Sequence, residues 1–181
     1  GFTSSIQNPV IAGASSLATG AYTAFATVGG CTGPITILNL TVNPIPGVLV
    51  LGSNSPICSG QNLNLTSNLV SSGTYSWSGP NSFSSSLQNP TIVGATTLAT
   101  GSYTAFVTVN GCSGPISTIN VTVNPIPTTP TPSNNSPICV GNNLTFTVGS
   151  VVGASYSWTG PHSFVSALQN PTIVGASTLA S

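Results

Sequence analysis

Internal repetition constrains this chain more than any other feature. Gln7, Gln88 and Gln169 each begin a Gln-Asn-Pro tripeptide, and successive copies lie 81 residues apart. The segment Asn43–Pro46 returns with the same spacing as Asn124–Pro127. A fixed long period indicates an array of one structural unit. Both ends of the sequence fall inside a repeat, which predicts a segment cut from a longer polymer.

The period divides the 181 residues into one complete and two partial modules. We expect the C-terminal part of one module at 1–46, a complete module at 47–127 and the N-terminal part of a third at 128–181. Proline fixes φ and restricts the residue before it, so stiff extended connectors are predicted near 43–55 and 124–136. The first connector, whose later part is apolar, is also compatible with a strand.

The charge composition excludes several classes of function. The chain contains no Lys, Arg, Asp or Glu, whereas about a quarter of the residues in an ordinary globular protein are charged. Nucleic-acid binding needs basic side chains to neutralise phosphates, and calcium or magnesium sites need carboxylates. No cofactor site is predicted either. A surface without net charge has no self-repulsion and should associate readily, which suits the subunit of an assembly.

The residue types favour an all-β protein outside the cell. Polar residues, Gly or Pro interrupt the apolar residues every few positions, and no run approaches the roughly 20 apolar residues of a membrane-spanning helix. β-Branched and hydroxyl residues are abundant, and strong helix formers other than Ala and Leu are scarce. Four cysteines, two per period, favour an oxidising environment, and therefore an extracellular or cell-surface location.

Alternation of apolar and polar residues predicts short strands in the complete repeat. The predicted strands are 62–66, 74–78, 91–93, 102–109 and 116–123. Asn110-Gly111 after the longest strand predicts a tight turn. Short strands separated by turn signals are typical of an immunoglobulin-like β-sandwich.

Five segments of this repeat carry a family likeness. They occur in the order Ser55–Gly60, Tyr75–Pro80, Gln88–Ile92, Gly101–Thr104 and Asn110–Cys112. This pattern resembles the PKD-like and Ig-like repeats of large secreted surface proteins of Bacteroidota, and the likeness extends over the whole chain. The resemblance implies an adhesin, a surface filament or the stalk of a secreted enzyme. It specifies the type of module and says little about its task, because such modules serve many proteins.

The sequence departs from that family in two respects. PKD domains tend to carry acidic residues after the tryptophan, whereas Ser78-Gly79-Pro80-Asn81 stands here, so no metal site is inherited. The usual surface charges are also missing, so the association behaviour of the family cannot be transferred.

The four cysteines leave more than one pairing open. Cys58, Trp77 and Cys112 follow the order of an immunoglobulin-type disulfide around a buried tryptophan, which favours a Cys58–Cys112 bridge. Such a bridge stabilises a fold by roughly 4 kcal/mol in the loop-entropy model, and Cys31 and Cys139 would then need partners elsewhere. The alternatives are Cys31–Cys58 with Cys112–Cys139, across neighbouring repeats, or free thiols.

The aromatic residues have two interpretations. In sandwiches of this type a tryptophan usually plugs the core between the sheets, and we assign the repeated aromatic positions to the core on that basis. These positions are Trp77, Trp158, Tyr75, Tyr156, Tyr103 and Phe106. An exposed aromatic platform that binds sugar is the alternative interpretation of the tryptophan and its neighbouring tyrosine.

No catalytic residue is predicted. His162 replaces Asn81 of the preceding copy in an otherwise unchanged loop. It has no acidic partner to orient it, and a single histidine does not make a metal site, which needs several ligands. The serines and threonines lie in no nucleophile-elbow motif, and no Asp or Glu exists to complete a triad. We therefore interpret His162 as a loop residue and the chain as a non-enzyme.

These observations lead to a structural hypothesis. The chain is expected to be part of an extracellular fibre or adhesin shaft, with copies of itself or flanking repeats of the same chain as partners. A glycan- or surface-binding accessory module of a secreted protein is the competing interpretation. A further hypothesis is strand addition, in which the partial module at one end of a chain is completed by strands from the next chain. The 19 duplicated residues would then have to be accommodated, and a continuous longer chain explains the same partial modules more simply.

Overall fold

The computed structural model describes residues 1–177, and its fold is all-β, as the sequence predicts. Spatial proximity divides the chain into two units, residues 1–125 and residues 126–181. Three single-turn 3-10 helices, Ser16–Ala18, Thr97–Ala99 and Pro161–Ser163, interrupt the strands.

The N-terminal segment, residues 1–46, contains a hairpin with an open face. Its strands are β1 (Gly20–Ala24), β2 (Thr27–Val28), β3 (Cys31–Thr32) and β4 (Thr36–Leu40). β1 pairs antiparallel with β4, and β2 pairs antiparallel with β3. No residue of the segment is fully buried.

The rest of the first unit, residues 47–125, is a closed sandwich that we call the central module. Its strands are β5 (Leu51–Ser53), β6 (Ile57–Cys58), β7 (Leu63–Ser67), β8 (Thr74–Gly79), β9 (Phe83–Ser85), β10 (Thr91–Ile92), β11 (Gly101–Val109), β12 (Cys112–Ser113), β13 (Ser117–Val121) and β14 (Val123–Asn124). One sheet has the order β10-β7-β5. In the other, β11 pairs with β8 on one edge and with β12 and β13 on the opposite edge, while β9 extends β8. β14 runs parallel to β6.

Alternation along the strands places one apolar face of each sheet in a single core. On β11 the side chains of Tyr103, Ala105 and Val107 are buried, and on β7 those of Leu63 and Leu65 are buried. Successive strand residues point to opposite faces. Phe106 therefore faces away from this core and is half-buried, which corrects its assignment to the core.

Two sets of hydrogen bonds stabilise the sandwich, and the first is typical of its fold. The Tyr103 hydroxyl donates a hydrogen bond to the Ala99 carbonyl oxygen at 2.9 Å, a tyrosine corner of the kind found in immunoglobulin-like sandwiches. Gln88 Nε2 donates to the Ser67 carbonyl oxygen at 3.0 Å, and Asn89 Oδ1 accepts from the Ser67 amide at 2.9 Å. The Gln-Asn-Pro motif thus satisfies both backbone groups at the end of β7.

The second unit, described for residues 126–177, contains five strands. They are β15 (Pro132–Asn134), β16 (Leu144–Val148), β17 (Trp158–Gly160), β18 (Phe164–Ser166) and β19 (Thr172–Ile173). Their sheets have the orders β15-β16-β19 and β17-β18. β15, β16, β18 and β19 begin 81 residues after β5, β7, β9 and β10, and β17 matches the second half of β8.

The structure shortens the predicted connectors. Leu51–Ser53 and Pro132–Asn134 lie within the proline-rich stretches, yet each is a strand that pairs with the neighbouring β7 or β16. Within residues 1–177 there is no helix long and apolar enough to cross a membrane.

Candidate interaction site

The central module contains a slot that a tyrosine fills. The Tyr103 ring packs edge-to-face on Phe83, with ring centroids 5.5 Å apart. Gly79 forms the floor of the slot, because a Cβ atom at this position would collide with the Tyr103 ring. Trp77, which is 1% exposed, and fully buried Tyr103 belong to the same core cluster. Burial raises the pKa of the Tyr103 hydroxyl.

In the second unit the corresponding slot is open. Trp158, Gly160 and Phe164 occupy the positions of Trp77, Gly79 and Phe83, and with Phe146 and Ile173 they line a cavity of about 460 Å³. A Cβ atom at Gly160 would come nearest to the Phe164 side chain, at 3.4 Å, which is ordinary van der Waals contact. The second unit therefore presents a predominantly apolar cavity at the position that Tyr103 fills in the central module.

The aromatic rings around the open slot are arranged differently from those of the central module. Phe146 stands where the central module has Leu65, and its ring centroid lies 5.5 Å from that of Trp158 and 5.9 Å from that of Phe164. Trp158 Nε1 donates a hydrogen bond to the Leu168 carbonyl oxygen at 2.9 Å. The buried Trp77 Nε1 has no hydrogen-bond partner.

The N-terminal hairpin carries the matching tyrosine. The Tyr22 hydroxyl donates to the Ala18 carbonyl oxygen at 2.8 Å, as Tyr103 does to Ala99. Tyr22 is only half-buried, and the one aromatic ring packed on it is that of Phe2, at 6.2 Å. The hairpin thus repeats the hydrogen bond of the tyrosine corner with a more exposed tyrosine.

The cysteines are all free thiols, and the favoured Cys58–Cys112 bridge is wrong for this fold. Cys112 pairs with Val109 at one end of β11, whereas Val121 pairs with Gly101 at the other end. Nine strand residues span roughly 27 Å. Cys58 lies opposite Asn124, beyond Val121. Since a disulfide requires Cα atoms within about 7 Å, these two cysteines cannot be bridged.

The thiol of Cys112 lies beside the N-terminal segment. Its Sγ atom is 3.7 Å from the Asn43 carbonyl oxygen, and Asn43 Nδ2 donates to the Asn110 carbonyl oxygen at 3.2 Å. Cys31 and Cys139 are exposed. The alternative pairing of Cys31 with Cys58 and of Cys112 with Cys139 is not formed in this structure.

His162 is an exposed residue of the turn after β17. Its φ of 54° matches the 53° of Asn81, the residue it replaces. It lies on the rim of the open cavity, together with Pro161. Among residues 1–177, no group of three His, Cys, Asp or Glu side chains could hold a metal ion.

The repeated aromatic residues differ in exposure between the two units. Trp77 and Tyr75 are buried, whereas Trp158 and Tyr156 are half-buried. Tyr75 and Tyr156 make equivalent contacts, since their hydroxyls accept hydrogen bonds from the Val70 and Val151 amides at 2.8 and 2.9 Å.

Sequence reasoning missed the slot itself. It identified the tyrosine and tryptophan as core residues but assigned no role to Gly79 or Gly160. The signal was present in the sequence, because a glycine two residues after each repeated tryptophan leaves space for a large side chain opposite it.

Structural neighbours of low similarity are found for the chain. No protein-family model and no curated protein matches the sequence. A chain in the crystal structure of the mouse coronavirus receptor-binding domain complexed with its murine receptor is similar, with 13% identity and a TM-score of 0.48 over 74% of this chain and 87% of that chain. Murine CEACAM1b has 14% identity and a TM-score of 0.46, over 72% and 86% of the two chains.

A third similar structure is Dpr2 Ig1-Ig2 in complex with DIP-Theta Ig1-Ig3. It has 13% identity and a TM-score of 0.31, over 91% of this chain and 66% of that one. Similarities this low carry no argument about function. The strand order and the tyrosine corner show that the central module is an immunoglobulin-like β-sandwich.

Proposed function

We propose that this chain is a structural segment of an extracellular fibre or adhesin shaft, built from tandem immunoglobulin-like modules and without catalytic activity. We retain the division into modules at 1–46, 47–127 and 128–181 as part of this proposal. The resemblance to PKD-like repeats of secreted surface proteins supports the location. The function is mechanical spacing, with copies of the chain or flanking repeats as partners.

One observation supports this proposal above all. The N-terminal segment presents apolar residues to solvent at positions whose counterparts are more buried in the central module. Leu40 is 38% exposed where its counterpart Val121 is 2% exposed, and Leu38 is 66% exposed. Exposed apolar patches of this kind mark association surfaces.

The missing charges support the same proposal. With no Lys, Arg, Asp or Glu, modules in contact experience no like-charge repulsion at any pH near neutrality. Apolar contact between modules then proceeds with no electrostatic opposition. An array with this composition holds together over a wide range of solution conditions.

Electron cryo-microscopy of the assembled material tests the proposal. We expect filaments with continuous density through the module positions and an axial spacing set by one or two repeats. Isolated particles without axial order, even at high protein concentration, would argue against a shaft.

Glycan binding in the open cavity is a second candidate function. An aromatic-lined pocket with Trp158 on one wall is a reasonable site for a glycan, which stacks its apolar ring faces on indole. A glycan array with the soluble chain distinguishes the two functions. Binding at low micromolar concentration that Trp158→Ala abolishes without unfolding would favour an accessory binding module over a shaft.

A further inference from the structure

We propose that the Asn110-Gly111 turn of the central module is a site of spontaneous covalent modification, at which the Asn110 side chain loses ammonia and becomes aspartate or isoaspartate. Water is the only co-reactant. The product is the first charged side chain in a chain that has no Lys, Arg, Asp or Glu. It arises where the central module contacts the connector residues 43–47, and the reaction goes beyond the proposed structural function and does not depend on it.

The chemistry follows from the residue that comes after the asparagine. The Gly111 backbone nitrogen attacks the Asn110 Cγ atom, which forms a five-membered succinimide and releases the side-chain nitrogen as ammonia. Water then opens the ring at either carbonyl group and gives aspartate or isoaspartate, without an oxidant or a reductant. Glycine has no Cβ atom to obstruct the attack and has the widest backbone freedom. Asn110-Gly111 is the only Asn-Gly pair in the sequence.

The fold leaves both reacting groups accessible. Asn110 and Gly111 are exposed and form the two-residue turn between the paired residues Val109 and Cys112. Among residues 1–177, neither the Asn110 side chain nor the Gly111 amide makes a hydrogen bond, although the Asn110 carbonyl oxygen accepts one. The attack therefore breaks no hydrogen bond of the two groups that react.

Other asparagines of the chain are held by hydrogen bonds. Asn54, which a serine follows, donates through Nδ2 to the Asn62 carbonyl oxygen at 3.0 Å and accepts through Oδ1 from the Asn64 amide at 2.8 Å. Asn135, also followed by serine, makes the same two hydrogen bonds in the second unit. A side chain held at both ends cannot turn its Cγ atom toward the next amide. Sequence and structure thus both single out Asn110.

The turn is packed against the connector that enters the central module. Asn43 Nδ2 donates to the Asn110 carbonyl oxygen at 3.2 Å, and the Asn43 carbonyl oxygen lies 3.7 Å from Cys112 Sγ. A Cβ atom at Gly114 would lie only 3.0 Å from the Pro46 carbonyl oxygen. A change in the backbone of the turn therefore acts directly on this joint.

The two products change the joint in different ways. Isoaspartate carries the main chain through its Cβ atom and adds one atom between β11 and β12, which a two-residue turn does not absorb without losing its register. Aspartate keeps the main chain and adds a negative charge, for which the chain has no basic side chain as a partner. Isoaspartate thus loosens the joint, and aspartate makes the surface of the module sensitive to salt.

The N-terminal hairpin shows that the turn does not require an asparagine. Gly29-Gly30 occupies the same place between β2 and β3, with φ of 58° and 80°, against 48° and 80° for Asn110-Gly111. Asn110→Gly is therefore the matched control, since it preserves the turn and removes the reacting amide.

The missing acidic residues provide a specific assay. An endoproteinase that cuts before aspartate has no site in the unmodified chain, so each cut reports one converted asparagine. The folded full chain is incubated at neutral pH, and samples taken at intervals are denatured and digested. Enzymatic methylation of the same samples measures isoaspartate. A free peptide of residues 105–115 gives the rate of the reaction without the fold.

We expect fragments 1–109 and 110–181 to accumulate with time, together with isoaspartate, and Asn110→Gly to yield neither. The chain should react more slowly than the peptide, because the turn must open for the ring to close. Asn81 also lacks a side-chain hydrogen bond among residues 1–177, but it should react at least roughly tenfold more slowly than Asn110, because Ser82 carries the Cβ atom that glycine lacks.

Two outcomes overturn the modification site. One is a position 110 that stays unconverted when the peptide has reacted completely, because the fold would then protect the turn. The other is conversion of Asn81 as fast as that of Asn110, because the reaction would then be general to exposed asparagines.

Amide hydrogen exchange tests the effect on the joint separately. The Gly114 amide donates to the Val107 carbonyl oxygen at 2.8 Å, next to the turn. In the isoaspartate fraction this amide should exchange at least roughly tenfold faster, because the turn opens more often, whereas Asn110→Gly should leave the rate unchanged. Unchanged exchange in the isoaspartate fraction would overturn the loosening of the joint, while the assay above decides the modification itself.

Discussion

The central module and the second unit contain nearly the same residues around their tryptophans, yet they form different structures. Tyr75-Ser76-Trp77 lies within the six-residue strand β8, whereas the equivalent Tyr156-Ser157-Trp158 enters a strand only at the tryptophan. β8 pairs with β11 over five residues, from Thr74 to Ser78, and the described part of the second unit has no such partner strand. The neighbouring strand, more than local propensity, determines the conformation of this segment.

The same comparison explains the two tryptophan environments. Trp77 Nε1 is buried without a hydrogen bond, whereas Trp158 Nε1 donates to Leu168. An unsatisfied buried donor costs about 1–3 kcal/mol. Trp158 is already half-buried, so complete closure buries at most on the order of 90 Å² more of the indole, which contributes about 2 kcal/mol at about 25 cal/mol per Å². Closing the sandwich over the ring therefore roughly offsets the lost hydrogen bond.

The largest expected difference between the two regions concerns these tryptophans. Trp77→Ala should lower the free energy of unfolding of the central module by about 3–5 kcal/mol, because it leaves a cavity in a closed core. Trp158→Ala should lower that of the second unit by less than about 2 kcal/mol, because Trp158 is only half-buried and borders the open cavity. Denaturant titration followed by circular dichroism measures both values. Equal losses would mean that the slot of the second unit is closed in solution.

Substitution of the glycine at the floor of the slot should have the next largest effect on the free energy of unfolding. Gly79→Ala should destabilise the central module by about 1–3 kcal/mol, because its new methyl group overlaps Tyr103. Gly160→Ala should change the stability of the second unit by no more than about 0.5 kcal/mol, as expected for a surface substitution in extended backbone. Thermal unfolding of the two variants in parallel provides the measurement. A neutral Gly79→Ala variant would contradict the assigned position of the Tyr103 ring.

Several features of the fold were accessible from the sequence because they depend on local pattern. The strands at 62–66, 74–78 and 102–109 follow directly from alternation, and the structure places them within one or two residues. The tight turn at Asn110-Gly111 is also confirmed, since both residues have positive φ, 48° and 80°. Local steric rules suffice for such elements.

Other features depend on contacts between distant residues and were not accessible. The Cys58–Cys112 bridge was inferred from the order of residues along the chain, but β6 pairs with the last strand of the module, far from the turn that holds Cys112. Phe106 was assigned to the core from its residue type, although Tyr103, Ala105 and Val107 occupy the inner face.

The tyrosine corner permits a smaller comparison between the two ends of the chain. Tyr103→Phe removes the hydrogen bond to the Ala99 carbonyl oxygen and leaves that buried acceptor unpaired, which should cost about 1 kcal/mol. Tyr22→Phe should cost only a few tenths of a kcal/mol in the free chain, because water reaches the half-buried hairpin. Urea denaturation resolves the difference. If the two losses are equal, Tyr22 is already inserted in a closed module under the conditions of the measurement.

The pH dependence of stability should also separate the closed module from the open hairpin. Burial raises the pKa of Tyr103, so the folded state holds this proton more tightly than the unfolded chain does. The resulting stability is fully present below the unfolded tyrosine pKa of about 10 and is lost as pH rises through the folded pKa. Stability should be nearly flat between about pH 4 and pH 9, since the chain has no carboxylate side chain or lysine. Tyr103→Phe should remove part of the alkaline loss, as measured by urea unfolding at pH 9, 10 and 11.

The smallest expected effect is that of sodium chloride. Salt weakens interactions between exposed charges by shortening the Debye length from about 30 Å at 0.01 M to about 3 Å at 1 M. No side chain in either region carries the charges on which screening acts, so unfolding free energies of both the central module and the second unit should change by less than about 0.5 kcal/mol over that range. Association of copies should be equally insensitive, and sedimentation at both salt concentrations measures it. Sulfate is the informative contrast, because its exclusion from protein surfaces favours burial and should therefore strengthen an association that buries exposed apolar side chains. Assemblies that dissolve when sodium chloride is raised would show that charged groups outside this chain hold them together.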